Sequence, residues 1–459
     1  MMKDVNEWAQ AQFGHANLND PRRTKRLVNV AARLANKPSA AICNSTIDIA
    51  EMEGAYRLIR NKKIDAKHIA DAGFIKTAQD AKDCKTLLAL EDTTTLMYSH
   101  SVKKELAHVN NQYSRGLLVH SILLFDPNKK NVVGLIEQQR WTRDLETKSI
   151  IKQCKARDYK EKESYKWEKS SINMQSRLGE KISDVISVCD READIFEYIT
   201  FKTNNKERFV VRSSYNRRIY ESDEKLYAYG ESLPCVKTKK RVIPQKGGRK
   251  RREATLEIKF AKVTLKTPEK KSIQCDVQLY YVSCIERGDN KNKLKWHLLT
   301  SESVTTAEEA EKIIFYYEKR WLIEDYHKVW KSEGTDVESL RMQTKDNLER
   351  MTVITSFVAV RLLQLRFMIE DETLANQSCE QMLGTKLWKL LWLKTEKEKK
   401  LTKTAPNMLW AYRSIAKLGG WKDTKRTGRA SVKVLWEGWS LLGTMFEGYD
   451  LAISIDEKI

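Results

Sequence analysis

Thr86-Leu87-Leu88-Ala89-Leu90-Glu91-Asp92-Thr93-Thr94 is the stretch on which the fold turns. A short apolar run that stops abruptly at acidic residues reads as a buried strand delivering a carboxylate at its end, at the sheet rim where ligands bind. The same construction recurs at Val185-Ile186-Ser187-Val188-Cys189, followed by Asp190-Arg191-Glu192-Ala193-Asp194 and a helix. Between them, residues 117–125 and 132–136 read as strands separated by the turn Asp126-Pro127-Asn128. A helical stretch around 161–178 and a strand at 208–212 complete the pattern. Strands in a row, then strands followed by helices, predict an α/β chain with a central mixed sheet.

Outward from this core the rhythm changes twice. Residues 1–70 read as amphipathic helices without strands, with Asp20 as an N-cap and Pro21 at the first helical position. Arg22, Arg23, Lys25 and Arg26 crowd the opening turns, an end that prefers negative charge. That placement suits a nearby phosphate, or else a solvated basic face. Residues 215–300 alternate in the manner of antiparallel strands (254–260, 278–284) around the basic loop Lys246-Gly247-Gly248-Arg249-Lys250-Arg251-Arg252. They predict a β-rich insertion. Thr306 and Glu309 form a capping-box pattern that opens a helix to about Ser332. Beyond 335 the chain reads as helical, with an apolar helix at 354–365, a charged loop at 394–403, and an apolar last helix around Val434–Leu442 that needs a partner within or between chains. The expected division is 1–70, 71–370 with the insertion at about 215–300, and 371–459.

Composition bounds the partners. Across 459 residues, 83 Lys and Arg against 62 Asp and Glu give a formal charge of +21. Such a field attracts polyanions, and nucleic acid is the commonest large one. Generic surface basicity is the bland alternative. An apolar fraction of 41% with twelve Trp is enough to build cores, so the chain is not a disordered tail. No apolar run approaches the roughly 20 residues that span a bilayer, and Met1–Glu7 lacks an apolar signal core. The expectation is a cytoplasmic protein with no membrane partner. Eight scattered cysteines without a Cys-x-x-Cys pair read as reduced thiols.

The acidic strand ends carry a possible chemistry. Mg²⁺ demands hard oxygen ligands, and phosphoryl transfer uses two ions about 3.5–4 Å apart. Asp92 and Asp190 fit, although among 62 acidic residues two such placements are also what ordinary loop carboxylates supply. Tyr317, Arg320, Glu324 and Lys331 stand at offsets 0, 3, 7 and 14 on the predicted helix, within a sector of roughly 60°. Arg, Lys and Tyr can hold phosphate oxygens, and Glu among them makes sense as a metal ligand. A salt-bridged amphipathic helix explains the same residues, since Arg320 and Glu324 are spaced i,i+4.

The string Tyr317-x-x-Arg320-x-x-x-Glu324, with Lys331 seven residues on, resembles the YREK signature of bacterial insertion-sequence DDE transposases of the IS-four type. Glu91-Asp92-Thr93-Thr94 resembles that family's first acidic motif and Cys189-Asp190-Arg191-Glu192-Ala193-Asp194-Ile195 its second. Similarity extends through Glu53-Gly54-Ala55-Tyr56-Arg57, Ser114-Arg115-Gly116 and Ile243-Pro244-Gln245-Lys246-Gly247, in order along essentially the whole chain. The resemblance implies an RNase H-like central domain whose Asp92, Asp190 and Glu324 are catalytic and bind two Mg²⁺ (or Mn²⁺) ions. It implies helical flanking domains, the amino-terminal one binding DNA ends and the carboxyl-terminal one forming a homodimer in the synaptic complex. The implied activity is cut-and-paste transposition of double-stranded DNA: nicking, hairpin formation and resolution, and joining of 3′-OH ends to target DNA. Tyr317, Arg320 and Lys331 would hold phosphates beside a flipped base and Trp296 would stack on it, unless Trp296 is simply a core residue of its strand. Arg212, Arg217, Lys246 and the rest of the 246–252 loop would track the DNA backbone. Arg22, Arg23, Arg26, Arg60 and Asn61 are the expected end-sequence contacts, and Arg341 a further DNA contact. This chain departs from the family by one extra residue between Lys331 and Asn347, and by Gln343 in place of an acid. A Mg²⁺-dependent nuclease without strand transfer and a non-catalytic DNA-binding regulator are the competing readings.

Overall fold

Leu87–Leu90 and Val185–Val188 pair in parallel near the middle of one nine-stranded sheet, and the other strands are added outward from that pair. The computed structural model describes residues 5–37, 39–111, 113–143, 158–243, 251–269, 275–288, 292–333, 335–367, 372–424 and 430–456. Lys246 and most of its basic loop lie outside these. The strands are β1 (Leu87–Met97), β2 (Gly116–Asp126), β3 (Asn131–Trp141), β4 (Val185–Cys189), β5 (Arg208–Arg212), β6 (Lys237–Ile243), β7 (Arg252–Leu265), β8 (Val277–Glu286) and β9 (Lys295–Thr300). Their spatial order is β3-β2-β1-β4-β5-β9-β8-β7-β6. β1, β4 and β5 run parallel, and every other neighbouring pair is antiparallel. The β-rich segment after β5 therefore returns through β9 onto β5 and widens the same sheet. Its outer strand β6 carries Lys237, Lys239, Lys240 and Arg241, charges that discourage edge-to-edge pairing.

One sequence expectation is corrected here. Asp92 does not end a strand, because β1 continues to Met97 while β2 goes on pairing with it as far as Met97–Gly116. The apolar run marks only the part of β1 with strands on both sides. β1 alternates in the usual way: Leu88, Leu90 and Leu96 enter the main core, whereas Leu87 and Ala89 enter a smaller one on the opposite face.

The helices before the sheet are α1 (Val5–Phe13), α2 (Pro21–Asn36), α3 (Ile49–Ile59) and α4 (Ala66–Ala81). α5 (Lys166–Leu178), α6 (Phe196–Asn204) and α7 (Leu226–Ser232) lie between strands. After the sheet come α8 (Ala307–Lys319), α9 (Trp321–Lys328) and α10 (Lys345–Phe367), then α11 (Glu372–Asn376), α12 (Glu380–Thr395), α13 (Met408–Leu418) and α14 (Val432–Asp456). α2 begins as its sequence dictates, with Asp20 accepting from the Arg22 backbone and Pro21 at the first position. The Thr306–Glu309 capping box is formed in both directions. The helix it opens stays helical through Arg320 and α9, then widens into a π-turn at Val329–Glu333. Such turns recur at functional sites. Here the turn accommodates the fully buried Trp330, whose Nε1 donates to Thr355 Oγ1 at 3.1 Å.

α10 is buried around most of its circumference, as expected of a helix that is apolar on every side. Its Phe357 meets Phe13 of α1 and Phe74 of α4 at ring separations of 5.6 and 5.7 Å. Its buried Arg350 donates to the carbonyls of Ile64 (2.6 Å) and Ile59 (2.9 Å). The amino-terminal helices and the sheet thus share one hydrophobic core. Among the described residues no helix is long and apolar enough to cross a membrane.

α13 and α14 approach so closely that only glycine fits the contact. A Cβ on Gly438 would lie 1.8 Å from the Ile415 carbonyl oxygen, and one on Gly419 would lie 1.9 Å from that of Val434. Gly438→Ala should therefore destabilise the folded chain by about 1–3 kcal/mol or more. Gly443→Ala, on the same helix with nothing within 4 Å, should be neutral or stabilise by about 0.5–1 kcal/mol. Thermal melts of the two variants check this, and equal melting points would contradict the close packing.

Candidate active site

Two residues beyond the last parallel pair, Leu90–Val188, come Asp92 and Asp190. Equal offsets from a shared register bring both to the same end of the β1–β4 pair, near enough for the Asp190 charge to act on Asp92. Asp190 caps a short 3₁₀ turn at Arg191–Ala193, accepting from the Glu192 backbone at 2.8 Å. That turn is stapled down by Asp194, which is fully buried and accepts from the Ser214 and Tyr215 backbones at 2.7 and 2.9 Å. Arg217 completes the staple through an ion pair with Asp194 at 2.5 Å. In this structure the Arg217 guanidinium is therefore an internal clamp rather than an outward DNA contact. Arg212, half-buried, donates to the Lys295 carbonyl at 2.9 Å.

α8 and α9 lay their cationic face beside these acids. Arg320 is 7% exposed and pairs with Glu324 at 2.5 Å. Burial opposes its charge, but Tyr317, Glu324 and Asp92 outweigh that and hold its pKa above the ordinary arginine value. Lys331, in the π-turn, donates to the Thr95 carbonyl of β1 at 2.7 Å and lies 3.4 Å from Glu338. Burial pushes the Asp92 carboxyl up to about 7; Arg320 pulls it down, while the charges of Asp190 and Glu324 add to the rise.

Crowded, partly buried carboxylate is the electrostatic condition that a bound cation relieves. The donors are all hard oxygens, the set that Mg²⁺ or Mn²⁺ takes. In chemistry and charge Asp92, Asp190 and Glu324 fit such an ion. Among the described residues, however, no three acidic, His or Cys side chains are grouped as a metal-binding cluster. Glu324 gives its oxygen to Arg320 instead.

Two of the sequence candidates are packed inside. Trp296 and Tyr317 meet edge to face with ring centroids 5.1 Å apart, and both are buried. Trp296 is a core residue because the pleat of β9 turns it, with Leu298, into the main core. Its ring offers no open face for a base. Trp321, at 47% exposed, is the large aromatic beside Arg320 that does reach the surface. Among the amino-terminal candidates, Arg22 pairs with Asp20 and is highly exposed. Arg23 donates to the Leu18 carbonyl at 2.9 Å, Arg26 covers Gly54, Arg60 lies over the Tyr56 ring, and Asn61 caps the Lys63 backbone at 3.0 Å. Arg341 is exposed.

Sequence reasoning missed His327. Its Nδ1 lies 3.7 Å from Asp92 Oδ2, and burial first, then Lys331, holds its pKa down to about 3. It stands beside the carboxylate as a neutral imidazole. Its place one turn after Glu324 was the available signal. Also missed was Glu338, which accepts from the Met97 backbone at 2.8 Å and so ties Lys331 to the end of β1.

Residues 5–64 match the family model described as transposase DNA-binding. The match spans α1–α3 and their connections. Among solved structures the chain is similar to "Cryo-EM structure of piggyBac transposase synaptic complex with hairpin DNA (SNHP)", at 11% identity over 93% of this chain and 84% of that one, with a TM-score of 0.39. So loose a superposition carries no weight for fold or function.

The raised Asp92 pKa has a stability consequence. Because the folded state holds this proton more tightly than an unfolded chain, where an Asp titrates near 3.9, the group's contribution is intact below about pH 4. It is lost as pH rises through about 7. In metal-free buffer Asp92→Asn should therefore be more stable than the wild type at pH 8, by about 1–3 kcal/mol, with the gap closing toward pH 4. Melting curves across that range check it.

Proposed function

We propose that the chain is a DDE-type DNA transposase of the bacterial IS-four kind, with Asp92, Asp190 and Glu324 as its catalytic, metal-binding acids. The observation that carries this reading is the gathering of Asp92, Asp190, Arg320 and Glu324 at one end of the β1–β4 pair, in a chain whose residues 5–64 match a transposase DNA-binding model. In this reading β1–β5 and their order, with three antiparallel strands followed by two parallel ones, are an RNase H-like sheet. β6–β9 are the insertion.

The residues divide the work. Arg320 and Lys331 place two fixed cations beside the acids, where a DNA phosphate arrives with its charge unmet. The phosphate competes for Arg320, and taking it frees the Glu324 carboxylate to face Asp92 and Asp190. Asp92, Asp190 and Glu324 would then hold Mg²⁺ or Mn²⁺, which when bound would supply an activated nucleophile and Lewis-acid stabilisation of the leaving oxygen. Trp321 offers a ring on which a displaced base can stack. The amino-terminal helices hold the transposon end, and the apolar surface of α14, with Leu441, Leu451 and Ile455 exposed, is the surface for homodimerisation in the synaptic complex. The reaction in this reading is a nick, a hairpin closed by the freed 3′-OH, its opening by water, and attack of the 3′-OH on target DNA.

Short inverted repeats on both sides of the coding region, sought in the flanking DNA, would supply the test duplex. With Mg²⁺, the wild type should give nicked, hairpin and strand-transfer products. Glu324→Ala should lose nicking by at least a hundredfold while binding the duplex within a few fold of wild type. Nicks without hairpins would leave a nuclease instead. Equal loss of binding and cutting in Glu324→Ala would make that residue structural.

A further inference from the structure

Glu91 and Thr93 flank Asp92 on the opposite face of β1, and a single imidazole reaches both. His120 stands on β2 directly across from Thr93 in the antiparallel register. Its Nδ1 is 3.0 Å from Thr93 Oγ1, and its Nε2 is 3.6 Å from Glu91 Oε2. Glu91 and His120 are both 0% exposed, and the indole of Trp167 meets the imidazole edge-on at 4.5 Å. Neither Glu91 oxygen has a hydrogen-bond partner, nor has His120 Nε2. Burying an acid and an imidazole with so little hydrogen bonding is costly, and apolar residues of similar size would be more favourable there.

The backbone around Asp92 shows where such a group is needed. β1 loses its parallel neighbour after Leu90–Val188. Beyond that point, among the described residues, β2 is the one strand paired with it. Asp92 therefore sits where the sheet is anchored along a single edge, yet a metal-binding carboxylate has to be held within fractions of an ångström. On its own face Asp92 has His327 at 3.7 Å and feels the charges of Arg320, Asp190 and Glu324, and β1 is next held at Thr95 and Met97, by Lys331 and Glu338. Support at Glu91 and Thr93, the two residues that flank it, comes from behind.

We propose that Thr93, His120 and Glu91 form a brace on the back of the sheet that fixes β1 on both sides of Asp92. They are positioning residues, not catalytic ones. The inference rests on the proposed role of Asp92 as a metal ligand. The brace is an outer-shell device of the kind whose loss typically weakens metal binding 10–100-fold.

The test uses the full chain and Mn²⁺ alone as the probe, with binding read by electron paramagnetic resonance and strand rigidity by amide hydrogen exchange at residues 91–95. Thr93→Val is nearly isosteric and removes only the hydroxyl. It should weaken Mn²⁺ binding about tenfold and speed exchange at 91–95, with DNA-end binding unchanged. His120→Asn, whose amide can keep the bond to Thr93, should fall closer to wild type than His120→Leu. Unchanged Mn²⁺ affinity and exchange in Thr93→Val would overturn the brace, even if His120→Leu does not fold. Asp92→Asn is run alongside. If it alone loses Mn²⁺ while Thr93→Val matches the wild type, the brace is wrong and the site stands. If Asp92→Asn binds Mn²⁺ as the wild type does, the site assignment fails, and the exchange at 91–95 still decides whether the brace exists.

Discussion

Like charges set side by side by parallel pairing are the constraint to which the rest of this molecule answers. Once Leu90 and Val188 are in register, Asp92 and Asp190 follow at the same end of the two strands, and burial together with that repulsion lifts the proton affinity of Asp92. Left alone, this arrangement would be a liability. Arg320 and Lys331 are the counterweight, delivered by a continuous helical run that begins at a well-formed capping box and ends in a π-turn. Asp194 and Arg217 keep the Asp190 turn from moving away. Buried charge and its counter-charge thus sit in the same few residues.

How much of this the sequence discloses depends on whether the governing interaction is local. Capping is local, and Asp20–Pro21 and Thr306–Glu309 were readable at a glance. So were the two apolar runs that become β1 and β4, since hydrophobic patterning reflects burial directly. The full length of β1 was not, because residues 91–97 are held by β2 rather than by their own apolarity. Nor was the continuity of the 215–300 segment with the main sheet, which rests on three cross-strand pairs between β5 and β9.

Among candidate site residues the same division holds. The positions of Asp92, Asp190, Arg320, Glu324 and Lys331 could be read from the ends of two apolar runs and from helical spacing, whereas their roles rest on the proposed function. Trp296 and Arg217 turn inward for reasons that lie elsewhere in the chain: one follows the pleat of β9, the other answers the buried Asp194. His120 went unread because a lone histidine announces nothing until its neighbours across the sheet are known, and His327 offered only its spacing from Glu324.

Arg350 gives the architecture a mechanical character. By holding the carbonyls of Ile59 and Ile64 from inside α10, it welds the segment that matches a DNA-binding family to the helix that backs the sheet. No tether intervenes. The spacing between that segment and the acids on β1 and β4 is consequently a property of the protein interior, as fixed as the gap of a caliper, and it cannot be adjusted by lengthening a loop.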